Sequence, residues 1–234
     1  MKTKINILAL FVMLLGACAP AVQPTETAVE PQPIEEHLPV PTEEAAPKPE
    51  LPVVTSWRAV RDTRYGFGFA IPCWWLTNPI ATDGALYTVK NYDDAYFNAH
   101  SQKGFWEWPN GTLKLDIVVF EGVDTTKSDA NAYIQLADPS MTGLVSAEIQ
   151  QFGSHSGTAA VIANLDNPNS PNVTVFLFRL APERLLMINP IPQTIIDTPD
   201  FQALLTSVVL TPDEEIALPL ITPAPALIDA ACAG

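Results

Sequence analysis

Large apolar side chains alternate with glycine or alanine between positions 65 and 71. The large ones are Tyr65, Phe67, Phe69 and Ile71. In a β-strand, alternate positions share a face, so this pattern predicts a strand whose aromatic face belongs to the core. The opposite face carries only small side chains. We expect another part of the chain to lie close against that face, unless it turns to solvent.

Other segments alternate in the same way or are rich in β-branched residues, and they predict further strands. They cover residues 86–90, 113–120, 145–152, 158–163, 173–180 and 184–188. Glycines at 153 and 157 separate the third and fourth, and the sequence Ala-Pro-Glu separates the last two. Both connections are typical of hairpins, which join antiparallel strands.

Two segments have the period of a helix instead. Ser128 is placed to cap a run with an apolar stripe that ends before Pro139. Thr198 is placed to cap a second run, with Pro199 in its first turn. Few helices beside many hairpin-linked strands predict an α+β fold with a mainly antiparallel sheet.

These elements carry a resemblance to a known fold. The stretch YGFGFAIP at 65–72, with Trp74 and Trp75 after it, resembles the opening of the PsbP-like domain, which the photosystem II extrinsic protein and Mog-type Ran-binding proteins share. The stretch FQALLTSVVL at 201–210 resembles that domain's closing helix and strand. The resemblance covers most of residues 55–211 and implies a sandwich with helices on both sides of the sheet. It also implies a non-catalytic binding or assembly protein.

The first residues indicate export from the cytoplasm. Lys2 and Lys4 precede an apolar run over 5–15, which is shorter than the ~20 residues of a spanning helix and has the proportions of a secretory signal. The sequence Leu-Gly-Ala-Cys at 15–18 resembles the lipobox of bacterial lipoproteins, which implies cleavage before Cys18 and acylation of its sulfur. The alternative is an ordinary secretory signal with a chance cysteine.

Composition divides the rest of the chain into three parts. Residues 18–52 are rich in proline and glutamate and contain no aromatic residue, so we expect a disordered, extended tether. A proline-rich ligand for a partner is the alternative. Residues 53–212 have the length and composition of one globular domain. Residues 213–234 form a proline-spaced apolar tail, which we expect to run back across the domain and bury its aliphatic side chains.

The formal net charge of −14 limits the classes of partner. Nucleic acids require clustered Lys and Arg, so the charge argues against them. Anionic lipids would repel the domain, so the lipid anchor alone would make the membrane contact. Together with the export signal and the lipobox, this predicts that the protein is held at the cell membrane by its lipid anchor, outside the cytoplasm.

Residues 91–111 form an insertion that departs from the PsbP-like pattern and is rich in aromatic side chains. Five of these are candidate contacts for a ligand or a partner: Tyr92, Tyr96, Phe105, Trp106 and Trp108. Aromatic loops provide large contact areas at a low entropic cost. The alternative is that they fold back over the open edge of the sheet.

No catalytic or metal-binding pattern stands out, and we expect no cofactor and no metal. Ser154 and His155 lie between Gly153 and Gly157, but the nucleophile elbow requires serine at the third of the five positions. The oxygen-rich stretch 164–172 lacks the spacing of a calcium loop and suits a hairpin connection.

Acylation of Cys18 would leave two cysteines, Cys73 and Cys232. Disulfides persist outside the cytoplasm, so we predict that this pair joins the tail to the domain. The alternative is a buried thiol at Cys73 and an unpaired Cys232.

The leading hypothesis is a membrane-tethered, non-enzymatic domain that binds an envelope protein or assists assembly. A second is a solute-capturing lipoprotein that binds a glycan, a peptide or a hydrophobic ligand through residues 91–111. A hydrolase with an unrecognised site is the weakest.

Overall fold

The computed structural model describes residues 50–54, 56–78, 86–101 and 108–219. All of them belong to one compact unit, Ala46–Gly234. The predicted signal peptide, Cys18 and most of the predicted tether lie outside the described residues. Within those residues, no helix is both long and apolar enough to cross a membrane.

The described residues contain nine strands and three α-helices. The strands are β1 Trp57–Asp62, β2 Phe67–Pro72, β3 Leu76–Asn78, β4 Tyr87–Lys90, β5 Lys114–Glu121, β6 Thr142–Phe152, β7 His155–Asn164, β8 Val173–Ala181 and β9 Arg184–Ile191. The helices are α1 Asp94–His100, α2 Asp129–Leu136 and α3 Pro199–Thr206. β1 and β2 form a two-stranded ribbon, and the other strands form one sheet in the order β3-β4-β5-β9-β8-β7-β6. Every pairing is antiparallel. The predicted α+β class is confirmed.

The seven-stranded sheet is covered on both faces. The ribbon and α3 cover one face, where Phe67 and Phe69 of β2 pack with Phe178 of the sheet and Phe201 of α3. α2 covers the other face through Ala130 and small or aliphatic side chains of β7, β8 and β9. Burial of this apolar area from both sides is the main source of stability.

The prediction for the aromatic face of β2 is confirmed for Phe67, Phe69 and Ile71, which have no exposed surface. Tyr65 differs from the expectation, because it lies in the turn before β2 and is half-buried. The Arg64 guanidinium stands 4.5 Å from its ring centroid, and Arg184 lies near the same ring. The strand therefore begins two positions later than the sequence pattern predicts.

The small face of β2 is covered by the chain after α3. Gly68 exchanges backbone hydrogen bonds with Val209, at 3.0 and 2.9 Å. A Cβ at Gly68 would lie 2.7 Å from Cδ1 of Ile216 and 2.9 Å from the Val60 carbonyl oxygen, so only glycine fits. The predicted close approach is confirmed.

The predicted return of the apolar tail is correct for Ile216, which is 7% exposed, and wrong for Leu218, which is 48% exposed. The pocket over β2 is small and is filled by Ile216 together with Val209, against Ala70. The chain has passed this pocket by residue 218. The remaining aliphatic residues of the predicted tail, from 220 onward, lie outside the described residues.

Polar contacts hold the same segment. The Arg61 guanidinium donates hydrogen bonds to the carbonyl oxygens of Pro212 and Glu214, both at 2.7 Å. The Glu214 carboxylate accepts a bond from Ser154 at 2.9 Å and contacts His155 Nε2 at 2.7 and 2.8 Å. We call residues 211–216 the C-terminal strap. The strap joins the ribbon to the turn between β6 and β7.

Two of the three helices were predicted from the sequence. Ser128 and Thr198 occupy the N-cap positions of α2 and α3, although neither side chain makes the capping hydrogen bond. α1 corrects the prediction of a loop over residues 91–111. It begins after Asp93, whose carboxylate accepts a hydrogen bond from the Tyr96 backbone N–H at 2.7 Å.

Candidate functional site

A concave site lies where the start of the described chain meets the end of the ribbon and the beginning of α1. We call it the aromatic cleft. Its described walls are Glu50, Leu51, Pro52, Trp74, Leu76, Asn91, Tyr92, Asp93 and Tyr96, and its volume is about 270 Å³. Three aromatic residues and two acidic residues therefore line one cavity.

Asn91 fixes the position of the aromatic segment. Its side-chain amide donates a hydrogen bond to the Gly111 carbonyl oxygen at 2.8 Å, and its Oδ1 accepts one from the Leu113 N–H at 2.7 Å. These hydrogen bonds join the two ends of the 91–111 insertion just before β5 begins. Together with the hydrogen bond at the Asp93 cap, they hold the backbone that carries Tyr92 and Tyr96 in place.

Tyr92 belongs to a cluster of aromatic rings behind the cleft. Its ring centroid lies 5.1 Å from that of Phe97 and 5.8 Å from that of Trp108, and the Phe97 and Trp108 rings are 5.6 Å apart. Desolvation, followed by the charges of Asp94 and Asp116, raises the pKa of Tyr92 to about 12. Its phenol therefore stays neutral and keeps its proton at physiological pH.

Tyr96 is half-buried, as Tyr92 is. Its ring stacks on that of His100, with centroids 4.1 Å apart and an interplanar angle of 15°. His100 Nδ1 also lies 2.9 Å from the Tyr96 carbonyl oxygen. This contact within one turn of α1 covers one face of the Tyr96 ring and holds the ring in place.

The opposite wall comes from the end of the ribbon. Trp74 is half-buried and packs edge-on against Trp75, with ring centroids 6.4 Å apart. Between Pro72 and Trp74 the chain turns at Cys73, which is 4% exposed and whose N–H donates to the Ser56 carbonyl oxygen at 3.0 Å. Among the described residues, the buried Nε1 of Trp74 has no hydrogen-bond acceptor.

The structure therefore brings together part of the predicted site. Tyr92 and Tyr96 line the aromatic cleft, whereas Trp108 supports Tyr92 and lines a second cavity of about 200 Å³ beside Asp200. Phe105 and Trp106 lie outside the described residues, as does Cys232. Sequence analysis missed Trp74 as a site residue.

The described part of the cleft offers groups that can bind a ligand. Its walls offer flat aromatic faces and the carboxylates of Glu50 and Asp93, but no serine, cysteine, histidine or lysine side chain. The aromatic faces can stack against an apolar surface or a cation, and the carboxylates can accept hydrogen bonds. The volume lies slightly below the usual range for small-molecule sites, about 300–1,000 Å³, so a single sugar ring or amino-acid side chain would fill it.

The turn with Ser154 and His155 does not form a nucleophile–base pair. Both side chains contact the same carboxylate of Glu214, and the serine hydroxyl donates to that carboxylate instead of to the imidazole. A nucleophile requires a base that takes its proton. The three residues therefore hold the C-terminal strap.

The asparagine-rich connection between β7 and β8 uses its oxygens locally. Asn164 Oδ1 accepts hydrogen bonds from the backbone N–H groups of Asp166 and Asn167, at 3.0 and 3.1 Å. This arrangement is typical of a turn. In the part of the chain that the structure describes, no three His, Cys, Asp or Glu residues are grouped as a metal site would require.

The chain is similar to known proteins only at low sequence identity, and only among solved structures. No family model and no curated protein matches the chain. Among solved structures, the chain is similar to cyanobacterial PsbP (CyanoP) from Synechocystis, with 14% identity, coverage of 67% of this chain and 94% of that chain, and a TM-score of 0.42. It is also similar to the Saccharomyces cerevisiae Ran-binding protein Mog1p, with 15% identity, coverage of 57% and 75%, and a TM-score of 0.31. These similarities concern the fold and carry no functional argument.

Proposed function

We propose that this chain is a lipid-anchored, extracytoplasmic and non-catalytic binding domain, and that the aromatic cleft is its binding site. The observation that carries the proposal is the cleft itself, which is lined by three aromatic residues and two acidic ones: Trp74, Tyr92, Tyr96, Glu50 and Asp93. A rigid aromatic surface with a few polar groups is the usual composition of a recognition site.

The proposed anchor rests on the sequence around Cys18, and the tether on the composition of the residues that follow it. At about 3.1 Å per residue in polyproline geometry, such a tether reaches on the order of 100 Å. The last three residues of the predicted tether, Glu50, Leu51 and Pro52, line the cleft. The binding site therefore lies where the tether joins the domain, and a bound partner would contact both.

Site-specific photocrosslinking in intact cells tests the leading hypothesis of a protein partner. A photoreactive phenylalanine replaces Tyr96 in the cleft, and in the control it replaces Gln135, an exposed residue of α2. We expect the probe at Tyr96, and not the probe at Gln135, to give a discrete crosslinked protein. Loss of that product in the Trp74→Ala variant would connect it to the cleft. Equal crosslinking from both positions would contradict the proposal.

The second candidate function is capture of a small solute, and the size of the cleft favours it. A cavity of about 270 Å³ holds one sugar ring or one side chain more readily than a folded surface. Binding would change the fluorescence of Trp74, so titration with oligosaccharides and short peptides tests this function. Trp74→Phe removes the reporter from the cleft and serves as the control. A fluorescence change that persists in this variant would come from another site.

A further inference from the structure

The longest open edge of the sheet is β6. It has 11 residues, whereas β3 at the opposite edge has three. Within the described ranges, no strand pairs with the outer side of β6. Its backbone N–H and C=O groups therefore form a row that another strand can extend.

β6 has few of the features that protect edge strands. Proteins usually protect such edges with lysine, proline, a bulge or short length. β6 contains neither lysine nor proline, and Glu148 is its sole charged residue. A bulge at Val145 interrupts the pairing with β7, but the pairing is regular from Ser146 to Phe152. The regular part is long enough to pair with another strand.

The most exposed large apolar side chain of the strand lies in the middle of this regular part. Ile149 is 78% exposed, and Val145, the residue at the bulge, is 55% exposed. Ala147, two positions before Ile149 in the regular part of the strand, lies on the same face and is also exposed. Exposed β-branched residues on an open edge favour pairing with another strand.

The turn between β6 and β7 determines which backbone groups point outward. Phe152 pairs with His155 across the two-residue turn, and such a turn closes with a hydrogen-bonded pair. Hydrogen-bonded and non-hydrogen-bonded pairs alternate along antiparallel strands. The outward-pointing groups are therefore those of Ala147, Ile149 and Gln151.

We propose that two copies of this chain associate through antiparallel pairing of their β6 strands, with a twofold axis at Ile149. Ile149 then faces its symmetry mate, Ala147 faces Gln151 of the second copy, and Glu148 faces Gln150. About six backbone hydrogen bonds form across the axis.

The order of side chains along the strand favours a second copy as the occupant. In this register Glu148 meets an amide instead of another carboxylate, and Gln150 already donates a hydrogen bond to Glu148 within one chain, at 3.2 Å. The apolar residue at the axis needs an apolar partner, and Ile149 supplies it. The net charge of −14 opposes association of two copies, so we expect association to strengthen as salt screens that charge.

Sedimentation of the purified chain over a range of concentrations tests association, with Ile149→Lys as the disrupting variant. Two lysines at the axis would repel each other, and we expect the dissociation constant to rise roughly tenfold or more. Val53→Lys is the matched control, because Val53 is 82% exposed and lies outside β6. A wild-type chain that stays monomeric at every concentration and salt level would overturn the proposal.

Crosslinking tests the register. Ile149→Cys places two thiols at the axis, within the ~5.5 Å between Cα atoms that a disulfide spans, and should give a dimer under oxidising conditions that reductant reverses. Ala147→Cys lies on the same face but faces Gln151 of the second copy, so its thiols stay apart. The wild-type chain supplies the background from the native cysteines. Equal dimer from both variants, or none from Ile149→Cys, would contradict the proposed register.

Discussion

The turn between β6 and β7 depends on Gly153, and substitution of this glycine tests how the turn is supported. Gly153 has a φ of +57°, and a Cβ at this position would lie 2.2 Å from the carbonyl oxygen of Thr206 at the end of α3. Gly153→Ala therefore introduces backbone strain and a steric clash together. Gly122 has a φ of +70° with no atom within 4 Å of its Cβ position, so Gly122→Ala introduces the strain alone.

The backbone strain and the steric clash destabilise the protein by different amounts. A left-handed conformation at alanine costs roughly 1–2 kcal/mol, and this term applies to both variants. The clash requires the turn or the end of α3 to move by about an ångström, and forced shifts in packed regions cost about 1–3 kcal/mol. α3 resists the shift because Phe201, Leu204 and Leu205 have no exposed surface. We expect Gly122→Ala to lose about 1 kcal/mol of unfolding free energy, and Gly153→Ala about 3 kcal/mol.

Urea denaturation of the wild type and both variants measures the difference. With a slope of about 2 kcal/mol/M, the midpoint should fall by ~0.5 M for Gly122→Ala and by ~1.5 M for Gly153→Ala. Equal losses, within about 0.5 kcal/mol, would show that the turn yields without cost. The packing of the turn against α3 would then contribute nothing to stability.

Three further predictions concern the two ends of the chain. Cys18→Ser should abolish acyl labelling and move the protein to the soluble fraction, and a labelled variant that remains with membranes would refute the lipoprotein hypothesis. Desolvation raises the pKa of Glu214, but hydrogen bonds from Ser154 and His155 outweigh it and leave the pKa lowered. The contact between the Glu214 carboxylate and the turn therefore stabilises the folded state above the ordinary pKa of glutamate, and this stability is lost as pH falls through the lowered pKa. The free energy of unfolding should fall less steeply with acid in Glu214→Gln than in the wild type. The same dependence on pH in both proteins would contradict this. A Cys73–Cys232 disulfide, worth at most about 5 kcal/mol, predicts no alkylation of either thiol in unreduced, denatured protein, and labelling of both would exclude it.

The sequence predicts the sheet well where its pattern is local. The β6–β7 hairpin was recognisable because alternation continues on both sides of a turn glycine. β1 was missed because it pairs only with β2, and its residues alternate too weakly in polarity to mark a buried face. α1 was missed because it has only seven residues and one buried side chain, Phe97, so it depends on the Asp93 cap and on packing.

The site was predicted in part for a similar reason. Tyr92 and Tyr96 stand in a segment that is visibly rich in aromatic residues, and they do line the cleft. Trp74 and Glu50 lie elsewhere in the sequence, next to the predicted core strand and in the predicted tether. The cleft is assembled from three separate segments, and local patterns contain no information about how such segments meet.

The boundaries that composition suggests, at residues 53 and 212, therefore fall inside the contacts of the folded domain. At the first boundary the change from a proline-rich to an aromatic-rich composition occurs after Pro52, yet Glu50 and Leu51 already form part of the cleft wall. At the second boundary Ile216 fills the space over Gly68 that no side chain of β2 occupies. Composition indicates how much apolar surface a segment has. The boundary of a domain depends instead on which segments pack against it in the folded structure. Two short segments with few apolar residues thus belong to the domain, because they pack into space that β2 and the end of the ribbon leave open.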